Sequence, residues 1–333
     1  MKHGKIPLFV CGVSIALVLL FFAGLLSGGV AIPLRQAVDV LLGKERGSPA
    51  AEIILGIRLP RIVMALLIGM MLAAGGTISQ AVFRNPLADP YIIGISSGAV
   101  TGAALAFLLK LNDVWYGVFG FAGALAASFL VFSLAGKRGK AGTAMLLIVG
   151  VAVSAFLGAV SSFALYLAGQ DSYRVIVWTM GYLGAASWFR AGLLALPLLA
   201  SLVFFAYHRH DLDALLLGDA EAHSLGVAVG KTKRRLLLAV SLTAAFSVAF
   251  AGMIGFVGLI VPHGVRLCAG NSHSRLLPLA SYSGGVFLLL ADTLARTLIA
   301  PVEIPIGIIT ALFGAPFFMV LAIRTGKESR YGA

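Results

Sequence analysis

From Ile62 to Val82 the chain carries no charged side chain. About 20 apolar residues in one helix are what crosses the hydrocarbon core of a bilayer. Such a run constrains the fold more than any motif. Inside lipid every backbone amide and carbonyl must find a partner within the protein, which leaves helices or closed barrels. The pattern recurs at 6–27, 91–109, 114–135, 144–167, 191–207 and 304–323, and at 276–297, uncharged as far as Ala291. The stretch 236–269 is too long for one crossing. Gly252, Gly255 and Gly258, then Pro262, divide it into 236–251 and 253–269. The expectation is an all-α polytopic membrane protein with ten transmembrane helices. Composition agrees: 60% of the residues are hydrophobic and 11% charged, against about 25% charged in soluble chains.

The first run has Lys2 and Lys5 on its N-terminal side. It is longer than the ~7–15 residues of a signal-peptide core, and "LLSGGVAIP" is a poor cleavage site, so it reads as a retained span. The formal charge of +12 follows the positive-inside rule better than it suggests nucleic acid as a partner. Ten spans put the basic N-tail, the basic C-tail (Arg324, Lys327, Arg330) and the loops holding Arg84, Lys137, Arg138, Lys140, Arg209, Lys231, Lys233, Arg234, Arg235, Arg266 and Arg275 on the cytoplasmic side. Residues 28–60 then form a long external loop with an amphipathic piece, "IPLRQAVDVLLG". Residues 172–188 are apolar but too short to cross, as in a re-entrant or interfacial helix. Residues 208–235 form the longest cytoplasmic loop, and the whole of 1–333 is one transmembrane domain. Cys11 and Cys268 lie far apart, in or beside apolar runs, and suggest neither a disulfide nor a metal site.

Between two spans stands "FRNPLADPYIIGISSGA", residues 83–99. Pro86 and Pro90 break helical hydrogen bonding, and irregular backbone at membrane depth survives only where it is buried in protein or lines water. The segment therefore reads as a cavity wall or constriction, with an ordinary turn as the rival reading. Gly94, Gly98 and Gly102 are four apart, which lines one helix face with small residues for close packing. Three tempting motifs fail. "GVAVGKT" (226–232) has one residue too few for a phosphate-binding loop and no strand before it. "GISSG" opens a membrane helix rather than a nucleophile elbow, so a hydrolase using Ser96 is disfavoured. The histidines have no metal-ligand spacing. Asp292 and Arg296 can pair at i,i+4 near a helix end. Buried acids are otherwise missing from the spans, which weighs against an ion-coupled secondary transporter.

Six motifs in order carry a resemblance: "RLPR" (58–61), "RNPLADPYIIGISSGA" (84–99), "GDAEAHSLGV" (218–227), "GFVGLIVPHGVRL" (255–267), "LADTLAR" (290–296) and "EIPIGIITALFGAPFF" (303–318). Together they resemble the FecCD family, the permease subunits of ATP-driven importers for vitamin B12, haem and iron–siderophore complexes. The resemblance implies a type II ABC importer permease fold, similar to the vitamin B12 importer. It implies ten helices per subunit, a homodimer with the pathway between its copies, and a bacterial or archaeal cytoplasmic membrane with both termini cytoplasmic. Two separate ATPase subunits would bind ATP and Mg, and a periplasmic or lipid-anchored substrate-binding protein would dock outside. This chain itself would be a non-catalytic subunit with no cofactor. An iron(III) chelate, siderophore or haem, is the expected solute, with cobalamin or another metal chelate or oxyanion as the alternative.

The resemblance also implies roles by position. Asn85, Pro86, Leu87 and Ala88, with Thr143, would narrow the cytoplasmic mouth; relatives often have two hydroxyls where this chain has Thr143 followed by Ala144. Gly218, Asp219, Glu221, Leu225 and Gly226 would form the helix that couples to the ATPase. Arg58, Arg61 and Arg296 would meet acids on the binding protein, Arg suiting bidentate pairing. Arg61 could instead snorkel to lipid headgroups.

Overall fold

The computed structural model describes residues 5–45, 47–136 and 143–331. The predicted basic positions Lys2, Lys137, Arg138 and Lys140 lie outside the described residues. Among those described there are helices and turns but no strand. Seven helical stretches are long and apolar enough to cross a bilayer, and three shorter apolar helices accompany them. The chain is an all-α polytopic membrane protein.

The N-terminal helix α1 (Lys5–Leu26) is followed by the short amphipathic α2 (Leu34–Leu41). The next helix starts earlier than the sequence reading placed it. Ser48 accepts a hydrogen bond from Ala51 N at 3.1 Å, and Pro49 occupies the first helical position. This Ser-Pro start is favourable because it satisfies an orphan amide and presets the backbone angle. Helix α3 (Pro49–Ala51) therefore runs straight into a π-helical stretch (Glu52–Arg58) and then α4 (Leu59–Phe83), 35 residues without interruption. The external loop expected over 28–60 ends at Ser48. In the π-helical stretch the carbonyl of Leu55 takes the Trp188 indole N–H at 2.9 Å.

Helix α4 is the axis of the molecule, with four later helices against it, those spanning Trp188–Tyr207, Val229–Ala251, Val257–Ala269 and His273–Thr297. Its crossings are glycine contacts. A Cβ on Gly69 would run into the backbone of Gly284, and one on Gly76 into the backbone of Gly258. After the break come α5 (Ile95–Leu108), α6 (Asp113–Gly136) and α7 (Thr143–Ala168). Gly98 and Gly102 press on the backbones of Gly123 and Phe119 in α6, as the small-residue stripe predicts. Gly94 does something else: it adopts φ 82° at the turn into α5 and has only ordinary contacts.

The apolar segment 172–188 holds α8 (Tyr173–Thr179), seven residues and too short to cross. Then follow α9 (Trp188–Tyr207), α10 (Arg209–Leu217), α11 (Asp219–Ser224) and α12 (Val229–Ala251). The expected loop 208–235 is thus two short helices plus the first turns of α12. Helix α13 (Val257–Ala269) follows a non-helical step at Gly252–Phe256, where Gly252 and Phe256 both have φ 68°. Pro262 lies inside α13 and does not divide it. Last come α14 (His273–Thr297) and α15 (Ile306–Tyr331).

Helices α5 and α13 have 14 and 13 residues, a rise of about 20 Å each, short of the ~30 Å core. Irregular backbone adjoins both, Pro90–Gly94 before α5 and Gly252–Phe256 before α13. Backbone hydrogen bonds tie the end of α12, the turn after α8 and the start of α15 together. Tyr182 N donates to Ala251 O at 2.8 Å, Ile306 N to Gly181 O at 3.0 Å, and Gly307 N to Met180 O at 2.9 Å. Three breaks in three different hairpins thus satisfy one another, as lipid-excluded backbone requires.

Candidate functional site

The polar chemistry sits at the two ends of α4. At its C-terminal end Arg84 caps the helix with φ 48°, and Asn85 N bonds back to Gln80 O at 3.1 Å. Asn85 Oδ1 then accepts from Leu87 N at 2.9 Å, closing a turn around Pro86. Asp89 Oδ1 accepts from Tyr91 N at 2.9 Å and so caps the short 3-10 turn Pro90–Ile93. Ala88 is fully buried, while Asn85, Pro86 and Leu87 are half-buried. The break is a built, hydrogen-bonded structure inside the protein. Pro90 packs against Gly75 and Gly258, and Ile92 O faces Gly150 of α7.

Helix α11 lies against this break. Its N-terminal Asp219 accepts from Lys233 Nζ at 2.7 and 2.8 Å and lies 3.8 Å from Arg84 Nη2. Acids at a helix start are favoured by the helix dipole. Ala222 and Val227 are buried in one apolar cluster with Phe83, Ala88, Leu212 and Leu215. The opposite side is open: Glu221, Leu225 and Gly226 are exposed, Leu225 at 64%, and Leu217 beside them at 66%. Gly218 and Gly226 take φ 137° and 87°, where a side chain would be strained. The structure therefore brings Asn85–Ala88 and Gly218–Gly226 together at one end of the bundle. Thr143 opens α7 immediately after the undescribed 137–142, and no contact with 85–88 is found for it among the described residues.

Two further groups at this end, buried Gln80 and partly exposed Asp213, escaped the sequence reading. Gln80 donates to Gly258 O and Leu259 O at 3.3 and 3.1 Å and accepts from Arg266 Nη2 at 3.1 Å, pinning α13 to α4. Asp213 of α10 accepts from His273 N at 2.8 Å, its Oδ1 2.6 Å from His273 Nδ1, and so holds the start of α14. The sign that could have found Gln80 is an amide inside an otherwise apolar span.

At the other end the three arginines expected to meet a binding protein lie buried. Arg58, Arg61 and Arg296 are not free surface donors; each is about 5% exposed or less. Arg61 Nε meets Asp292 Oδ1 at 2.9 Å, and its Nη1 lies 3.0 Å from both Glu303 oxygens. Arg296 Nε lies 3.1 Å from Asp292 Oδ2, the i,i+4 pair that the spacing predicts, and its Nη1 donates to Gly24 O at 3.2 Å. Arg58 donates to the Leu25 carbonyl in the last turn of α1 and to the Val30 carbonyl beyond it. Internal acids and orphan helix-end carbonyls have captured the guanidiniums, and the chain has closed over them. Only Glu303, with its side chain 34% exposed, reaches the surface. Among the described residues no group of three or more His, Cys, Asp or Glu is placed to hold a metal ion.

Comparison with known proteins places this geometry. A sequence model described as the FecCD transport family matches residues 16–324. The chain is 46% identical over 302 residues to the cobalamin import system permease protein BtuC of Halobacterium salinarum, covering 89% of this chain and 80% of that one. It is 42% identical over 287 residues to the hemin transport system permease protein HmuU of Yersinia pestis, covering 84% and 85%. A solved structure described as an inward-facing conformation of an ABC transporter of the metal-chelate type superposes with a TM-score of 0.83 at 31% identity, covering 96% of this chain and 99% of that one.

Proposed function

This chain belongs to the FecCD transport family, and on that premise we propose that it forms the translocation pathway of a binding-protein-dependent ABC importer for an iron(III) chelate, siderophore or haem. The observation that carries the reading is the approach of the 84–94 break to α11, with Arg84 Nη2 3.8 Å from Asp219 and Ala88 in the same apolar cluster as Ala222. A hydrogen-bonded turn approaches a short helix whose other face carries the exposed Glu221 and Leu225, with exposed Leu217 beside it. In this reading that face docks on a separate ATPase subunit, which binds ATP and Mg, at the cytoplasmic side. Asn85, Pro86, Leu87 and Ala88, with Thr143, close the pathway there. Two copies of the chain enclose the pathway, and no bond in the solute is made or broken by it.

The Arg61 end then faces outward, toward a solute-binding protein. Arg58, Arg61 and Arg296 can receive that partner's acids only by exchanging present partners, and the partly exposed Glu303 is the group most readily displaced from Arg61. Cobalamin is the second reading, favoured by the 46% identity to a cobalamin permease.

The test is reconstitution in liposomes with cognate ATPase and binding protein, offering a ferric hydroxamate, haemin and cobalamin in turn. ATP-dependent uptake of an iron chelate is the expected result, and uptake of cobalamin alone would establish the second reading. Accumulation by the chain alone under a proton gradient would replace both with an ion-coupled transporter.

A further inference from the structure

Lys233 is 8% exposed, and Asp219 is the carboxylate in contact with it among the described residues. A buried ammonium that loses its acid is left uncompensated, so Asp219, and with it the start of α11, is bound to α12 as one piece. The same carboxylate faces Arg84 Nη2 at 3.8 Å. Arg84 is the left-handed residue that ends α4 and begins the break. A Cβ on Gly218 would sit 3.6 Å from Arg84 Nη1, so the two segments approach closely here by way of a glycine. Arg84 and Asp219 are both nearly half exposed, at 44% and 47%, so their contact can open and close at small cost, whereas Lys233–Asp219, with the lysine side chain 10% exposed and hydrogen bonds of 2.7 and 2.8 Å, is the tighter of the two.

We propose that Arg84, Asp219 and Lys233 form a latch that passes displacement of α11 to the 84–90 break. Lys233 is the fixed anchor, Asp219 the shared carboxylate, and Arg84 the positioning residue that the moving helix pulls. Beneath it Ala222 and Val227 are buried in the same apolar cluster as Phe83 and Ala88, packing with no preferred direction; the ion pair adds one, because its attraction acts along the line from Arg84 to Asp219. This deepens the transport reading above and rests on it.

The test is solute imported per ATP hydrolysed by the full reconstituted complex, with a ferric hydroxamate, haemin or cobalamin as probe, whichever the native complex imports. Arg84→Gln, at an exposed position, is expected to lower that ratio about two- to fivefold, the range an exposed ion pair can carry. Asp219→Asn should lower it at least as much, and the double variant no further than Asp219→Asn alone. Because Asp219→Asn strands a buried ammonium, Lys233→Met serves as the second variant. It keeps Arg84 facing Asp219 but cuts the anchor, and is expected to give the same loss in an assembled complex. An unchanged ratio in Arg84→Gln, or losses that multiply independently in the double variant, overturns the latch while leaving the importer intact. A native complex that imports none of the three probes under ATP overturns the transport reading, and the latch with it.

Discussion

Asp292 is fully buried between two guanidiniums. Asp292→Asn keeps the shape but leaves Arg61 and Arg296 with Glu303 as their acid, and is expected to cost about 3–5 kcal/mol of stability, as breaking a buried pair does. Denaturant unfolding in detergent measures it. Asp89, in the turn between spans, behaves differently: burial pushes its carboxyl up to about 6 from 3.8, against the lowering effect of the Tyr91 N–H. A folded pKa above the unfolded one means that its stabilising contribution is complete below about pH 4 and is lost as pH rises through 6. Asp89→Asn, which can still cap Tyr91 N, should therefore flatten the stability profile between pH 4 and 7; a profile identical to the native one would show that Asp89 titrates normally. At this scale the sequence showed what is local. Asn85, Pro86 and the Asp292–Arg296 spacing could be read because each acts within a few residues. The Arg61 partners Asp292 and Glu303 stand 231 and 242 positions away, and no pattern in a single sequence joins residues so distant. That is why the arginines were expected on the surface.

Among the elements, helix crossings depend on glycines that let backbones touch. Gly76→Ala would place a methyl group against the backbone of Gly258, which cannot swing aside as a side chain could. The expected cost is about 1–3 kcal/mol from overpacking, read as a lower thermal midpoint. Gly12, with open space around it, should accept Ala with little change. Periodicity revealed the Gly98 and Gly102 face because both glycines lie on one helix. The Gly69–Gly284 and Gly76–Gly258 crossings were hidden, since each pairs glycines from different spans. Span existence was legible and span ends less so: Ser48–Pro49 and the basic 229–235 turns belong to helices whose polar starts a hydropathy reading excludes.

At the scale of the whole molecule, α1 and α7 keep most of their apolar surface outward, with Ile148, Val151, Phe156 and Phe163 each more than 60% exposed. Lipid or a second copy must cover them. The homodimer proposed here predicts a protein mass in detergent, by light scattering, of twice the 34.6 kDa of one chain; a single-chain mass in an otherwise transport-competent preparation would contradict it. The all-α membrane class and the placement of the 84–94 break could be deduced from hydropathy and proline alone. The way in which breaks 180–182, 251–253 and 305–307 meet could not. Those three knots of backbone share their hydrogen bonds, and in oil a severed one has no solvent to turn to. Sliding any of these hairpins past its neighbours is therefore penalised at once, so whatever gate this wall contains must swing like a slab, its flexing consigned to the margins where water waits.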